Sequence, residues 1–219
     1  MSILSRPTSN GIEIIPSIVS RDFADLEKKI KILDSHVTWA EIDVADGVFA
    51  SNITFQEPAL LNELDDKLKL SVHLMVELPE TVIEEWLAVA DRVLVHYEST
   101  EELADILEKY PKKHQEIIVA LALDTPVSVI DSIADTIKTV QLMSIRRLGF
   151  QGEDFCPEVI EKIKTIKTKW PHLKVVVDGG VGIDEAKDLI SAGADALVVG
   201  SAIWGAIDPL KALTELKSL

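Results

Sequence analysis

Nearly continuous apolar runs, rich in Val, Ile and Leu, alternate along this chain with segments in which apolar residues return every three or four positions. The runs cover residues 12–19, 39–44, 68–76, 92–97, 116–123, 139–145, 173–177 and 196–199. Each has the length of a strand and no regular polar face. The pattern therefore predicts strands buried on both sides, which means a parallel sheet. The intervening segments predict helices over 24–33, 57–65, 80–90, 101–110, 127–135, 158–170, 184–192 and 209–216. Pro79, Pro157 and Asp184 mark helix starts, and Gly193 marks a left-handed helix end. Strict alternation allows a doubly wound open sheet or a closed (β/α)8 barrel. Eight units within 219 residues favour the barrel, as one domain over residues 1–219 with no Gly/Ser/Pro-rich linker.

Composition narrows the function. Apolar residues make up 47% of the chain, as in a folded globular protein. A formal charge of −15 argues against nucleic acid and anionic membrane surfaces. It leaves room for an anionic substrate held by backbone N–H groups. The single Cys156 cannot form an internal disulfide and fits a reducing cytoplasm. Residues 1–16 hold no long apolar run, so a soluble cytoplasmic protein is expected.

Polar signals collect where the strands end, the functional face of such a barrel. Asp43 closes the second run and Asp178 the seventh. A carboxylate ending a buried strand is costly unless it is paired, bound to a cation or used in chemistry. Strand alternation puts Glu41 and Asp43 on one face, and Ser71, His73 and Met75 on another. If these faces point inward, Glu41, Asp43, His73 and Asp178 converge on a divalent-metal site. If they point outward, or meet Arg or Lys, the same residues are structural. His96 reads as a hydrogen-bonded core histidine, and Met75 and Met143 as core filler. His36, His114 and His172 fall in or near loops and carry no signal. Three glycine-bearing segments, Gly149-Phe150-Gln151-Gly152, Gly179-Gly180 and Gly200-Ser201, suit phosphate.

Over residues 14–204 the chain resembles the ribulose-phosphate 3-epimerase family. The resemblance rests on Pro16-Ser17-Ile18, Asp43-Val44-Ala45-Asp46-Gly47-Val48-Phe49 with Asn52-Ile53-Thr54, and Val72-His73-Leu74-Met75. It continues through Leu142-Met143-Ser144, Gly149-Phe150-Gln151-Gly152, Val177-Asp178-Gly179-Gly180-Val181 and Gly200-Ser201-Ala202-Ile203. It implies a ribulose-phosphate-binding TIM barrel that interconverts D-ribulose 5-phosphate and D-xylulose 5-phosphate, a step of the pentose phosphate pathway. Asp43 and Asp178 would be the two acid/base groups. One divalent ion (manganese, magnesium, zinc or iron) would sit on Glu41, Asp43, His73 and Asp178. Ser17, His73, Met75, Met143, Gly149, Gln151, Gly152, Gly179, Gly180, Gly200 and Ser201 would contact a phosphosugar. A homo-oligomer is implied as well, with Trp204 and Phe55 as interface candidates or, in the simpler reading, packing within one chain.

Three departures bear on that expectation. Glu41 stands where the family has a histidine ligand; it adds a negative charge and favours harder, oxygen-preferring ions. Ala45 replaces a methionine, which should open space over the site and admit a six-carbon ketose phosphate. The lid 146–153 carries Arg146 and Arg147, which could grip a phosphate or a second anionic group but, in the simpler reading, face solvent or pair with Glu153 and Asp154. A related lyase would need lysine where Ala45 stands, which counts against that class. A binding barrel without catalysis is the remaining alternative.

Overall fold

The computed structural model describes residues 11–65, 67–110 and 116–219; residues 1–10 and His114 lie outside them. Eight parallel strands pair in chain order and the last returns to the first, closing a barrel. They are β1 Glu13–Val19, β2 Trp39–Ala45, β3 Lys69–Met75, β4 Arg92–His96, β5 Glu116–Leu121, β6 Thr139–Met143, β7 Lys174–Asp178 and β8 Ala196–Val199. This is the (β/α)8 architecture that the alternation predicts.

Strand alternation divides the core in two. Ile14 and Ile18 of β1 face outward into the large apolar layer between barrel and helices. Ile15, between them, packs inside the barrel with Val176, Ala196 and Val198. A parallel barrel buries both faces of every strand, which explains runs without a polar side.

Among the described residues seven α-helices surround the strands: α1 Phe23–Leu33, α2 Ile83–Leu87, α3 Leu103–Lys109, α4 Val159–Lys169, α5 Ile183–Ala192, α6 Ser201–Trp204 and α7 Pro209–Lys217. In α1 the Asp22 carboxylate caps the first turn by accepting from the Asp25 N–H at 2.9 Å. Its buried stripe is Leu26, Ile30 and Leu33. α5 ends at Gly193, whose φ of 106° is left-handed, as expected of a helix-ending glycine.

Two expected helices take a tighter form. The 57–65 and 127–135 segments fold as 3-10 turns, Pro58–Glu63 and Val127–Ser132. Each buries one residue of its turn, Leu61 or Ile130, and neither has a side-chain cap. One anchor does not make the apolar stripe that stabilises an α-helix of this length. The 80–90 segment is likewise broken at Val82, into a 3-10 turn Pro79–Thr81 and α2. Among the described residues no helix is long and apolar enough to cross a membrane.

Candidate active site

Glu41, Asp43, His73 and Asp178 meet inside the barrel near its C-terminal mouth. Each offers a ligand atom, and these atoms lie within 4.8 Å of one another. Donors about 2.0–2.4 Å from one cation can be no more than roughly 4–5 Å apart, so the cluster can hold a divalent ion. His73 Nδ1 lies 3.3 Å from Asp43 Oδ1, 3.6 Å from Asp178 Oδ2 and 3.7 Å from Glu41 Oε1. Glu41 and His73 are wholly buried, whereas Asp43 and Asp178 retain 6% and 9% exposure. The two aspartates therefore reach the cleft above, and the other two form its foundation.

The electrostatics follow from crowding three carboxylates around one imidazole. Burial opposes the His73 imidazolium, but the Asp43 hydrogen bond and the charges of Glu41, Asp43 and Asp178 outweigh it and lift its pKa to about 9. Burial pushes Asp178 well above the usual carboxylate range, reinforced by Asp43 and Glu41. Burial also raises Glu41, against the opposing pull of His73 and Arg92. The Arg92 guanidinium, at the first residue of β4, lies 3.9 Å over the Trp39 ring and acts on Glu41 from the N-terminal end of the barrel.

Behind His73 stands a chain that sequence reasoning missed. His73 Nε2 is 2.8 Å from His96 Nε2, and His96 Nδ1 is 3.2 Å from Glu98 Oε2. A carboxylate only accepts, so Glu98 draws the His96 proton to Nδ1. That leaves His96 Nε2 to accept from His73 Nε2–H, and His73 Nδ1 is directed at the carboxylates, as a metal-ligating histidine requires. His96 is a hydrogen-bonded core histidine, as expected, but its partner is the site itself. The signal lay in the alternation of β4, which puts His96 two positions from Leu94 on one strand face.

Glu41 is held in the same manner. Ser71 Oγ donates to its Oε2 and Gln141 Nε2 to its Oε1, each at 2.9 Å. Thr54 ties the end of β2: its hydroxyl donates to the Asp43 carbonyl at 2.7 Å and accepts from the Ala45 N–H at 2.8 Å. Ser144 does similar work at β7, where its N–H donates to the Asp178 carbonyl at 2.7 Å.

Above the cluster is a cleft open to solvent. Its walls include Ser17, Asp43, Met75, Met143, Gly149, Gln151, Gly152, Asp178, Gly179, Gly180, Gly200 and Ser201. Every residue expected to touch substrate lines it except His73, which lies beneath. Glycine is required at Gly180, where φ is 66° and a Cβ would come within 2.7 Å of the Phe155 backbone; at Gly200 an added Cβ would displace the Gln151 amide, whose Nε2 it would meet at 2.5 Å. Ser17 is fixed by its carbonyl, which accepts from Trp204 Nε1 at 2.6 Å. That contact, and the burial of Phe55 at 1% exposure, place both aromatics in packing within the chain.

One expectation needs correction. Ala45 does not open space over the site. It is completely buried, packed with Ala50 and Met75 beneath Phe49 and Leu148 of the surrounding loops. The lid arginines follow the simpler reading, exposed and paired with acidic side chains. Arg147 pairs with Glu153 and stacks on Phe150, and Arg146 bridges Asp124 and Glu158, not Asp154. Exposed pairs of this kind contribute about 0–1 kcal/mol each, enough to bias the lid's shape but little more.

Comparison with known proteins agrees with the geometry. The ribulose-phosphate 3 epimerase family matches residues 13–204. A ribulose-phosphate 3-epimerase of Bacillus subtilis is 36% identical over 215 residues, covering 94% of this chain and 98% of that protein. One from Candida glabrata is 30% identical over 223 residues, covering 93% and 90%. Among solved structures, 3-hexulose-6-phosphate synthase superposes with a TM-score of 0.72 at 15% identity, covering 94% of this chain and 99% of that one. Orotidine 5'-monophosphate decarboxylase from Sulfolobus solfataricus gives 0.63 at 14%, covering 94% and 96%. At such identities these two structures speak to the fold alone.

Proposed function

Because the chain belongs to the ribulose-phosphate 3-epimerase family, and is thereby a carbohydrate epimerase of the isomerase class, we propose that it interconverts D-ribulose 5-phosphate and D-xylulose 5-phosphate by two-base proton transfer at C3. The observation that carries this reading is the placement of Asp43 and Asp178. They share one cluster with His73 and Glu41, yet they alone of the four reach the substrate cleft.

The chemistry follows from the residues. Asp43 sits on β2 and Asp178 on β7, so they approach a bound sugar from different walls of the barrel. One carboxylate takes the C3 proton and leaves an enediolate; the other, protonated, returns a proton to the opposite face. In the reverse direction they exchange roles. Burial and neighbouring charge favour the protonated form of Asp178, the form needed by the group that begins as acid. Glu41, Asp43, His73 and Asp178 would hold one divalent cation, which supplies electrostatic stabilisation to the enediolate oxygens. The glycine segments around Gly149–Gly152, Gly179–Gly180 and Gly200–Ser201 offer backbone, unshielded by side chains, to the phosphate. Met75 and Met143 pack against the reacting centre. Burial of Ala45 removes the space expected to admit a six-carbon ketose phosphate.

Proton NMR of ribulose 5-phosphate in D2O, with metal-supplemented protein, tests the proposal. Loss of the C3 proton signal together with xylulose 5-phosphate formation is expected. Loss of that signal without epimerisation would reduce the site to one competent base. Absence of both changes would overturn the reading.

A further inference from the structure

The lumen of the barrel is apolar where Ile15, Val176, Ala196 and Val198 meet, yet three polar side chains cross it. Ser71 is the register partner of Glu41 on the adjacent strand. Gln141 lies on β6, four strands from β2 in a closed ring of eight, so its hydrogen bond to Glu41 spans the barrel. The Glu41 carboxylate is thus gripped from a neighbouring wall and from the opposite one, with one donor on each oxygen. The oxygen that Gln141 holds, Oε1, is also the one 3.7 Å from His73 Nδ1, so the grip aims it at the cluster. Gln141 does this at a cost. Its own Oε1 is buried without a hydrogen-bond partner. An amide that turns its donor to a carboxylate and strands its acceptor is arranged around that carboxylate.

We propose that Ser71 and Gln141 are positioning residues that fix Glu41 as an oxygen ligand and thereby raise the site's selectivity for Mn2+ relative to Zn2+. The inference rests on the metal site proposed above. Its chemical basis is the donor set: three carboxylates and one imidazole favour oxygen-preferring ions, whereas zinc is well served by nitrogen and by fewer ligands. Loosening Glu41 removes an oxygen donor that manganese needs more than zinc does. Groups that orient a ligand in this way typically govern about 10–100-fold in metal affinity.

The simpler reading is that Ser71 and Gln141 only satisfy a buried carboxylate. That reading predicts weaker folding but no change in which metal is preferred. Calorimetric titration of the metal-stripped full chain with Mn2+ and, separately, with Zn2+ in a competing chelator tells them apart. Gln141→Leu and Ser71→Ala are each expected to raise the Mn2+ Kd about tenfold and the Zn2+ Kd by clearly less. Ser71→Thr, which keeps the hydroxyl, is expected to retain the wild-type ratio. Ser71→Ala removes a single oxygen and carries the test should Gln141→Leu fail to fold. An unchanged Mn2+ to Zn2+ ratio in the folded variants overturns the proposal while leaving the metal site standing. A wild-type protein that binds neither ion overturns the metal site and this inference with it.

Discussion

A carboxylate inside a barrel must be neutralised, and three of them here converge on one imidazole. Asp43 and Asp178 differ from Glu41 in having access to the cleft, which is why the proposed acid/base roles are assigned to them. Asp43→Asn and Asp178→Asn each remove one proton-transferring group while keeping nearly the same shape. Each is expected to lower kcat by at least 10²-fold, with far-ultraviolet circular dichroism unchanged. Retention of near wild-type turnover by either would refute the two-base assignment. Glu98 acts at one remove. A glutamine there can donate as well as accept, so His96 is free to place its proton on Nε2, and His73 must then keep its own on Nδ1, where the cation would bind. Glu98→Gln is therefore expected to weaken Mn2+ binding about tenfold, measured by calorimetry, with little change in melting temperature. Much of this was legible from residue type and alternation: Glu41, Asp43 and His73 share inward faces once a parallel barrel is assumed. Gln141 was not, because contacts across a lumen depend on register around the whole ring and leave no local pattern.

At the scale of elements, strands were easier to read than helices. A strand buried on both faces announces itself by continuous apolarity, and the eight observed strands begin or end within about two residues of the runs that predict them. A helix needs a stripe, and segments such as Pro58–Glu63 carry too little of one to hold an α-helical turn. The glycine loops show a different limit. Sequence gives the glycine but not the neighbour that makes it necessary. Gly180 has φ of 66°, and a Cβ there would meet the backbone N of Phe155 at 2.7 Å, with no flexible side chain to give way. Gly180→Ala is expected to destabilise the protein by about 1–3 kcal/mol, lowering Tm by about 2–4 °C for each kcal/mol. It should also raise KM for the phosphosugar, because the loop after β7 must move. A variant with unchanged Tm and KM would show that this loop adapts freely and does not shape the phosphate end of the cleft.

At the scale of the whole molecule, the cluster links stability to pH and to metal. In the metal-free protein the His73 pKa is about 9, above its ordinary value of 6.5. Its contribution is fully present below pH 6.5 and is lost as pH rises through 9. Raised carboxyls at Asp178 and Glu41 act in the same direction, since the folded protein keeps protons that the unfolded chain releases. His96 opposes them only at low pH. Burial depresses it to about 4, so its contribution is complete above 6.5 and is lost as pH falls through 4. Between pH 7 and 9 His96 is therefore silent, and the metal-free protein should lose stability, with Tm falling by roughly 5 °C. A bound dication replaces the His73 proton and cancels this loss, because above pH 7 neither the loaded site nor the unfolded chain carries that proton. Thermal melts of chelator-stripped and Mn2+-loaded protein at pH 7 and pH 9 should therefore diverge, with the largest stabilisation by metal at the higher pH. If the stripped protein held or gained stability from pH 7 to 9, His73 would not be carrying a proton among these carboxylates. The cation would then bind without displacing one, and its affinity would be nearly independent of pH in that range.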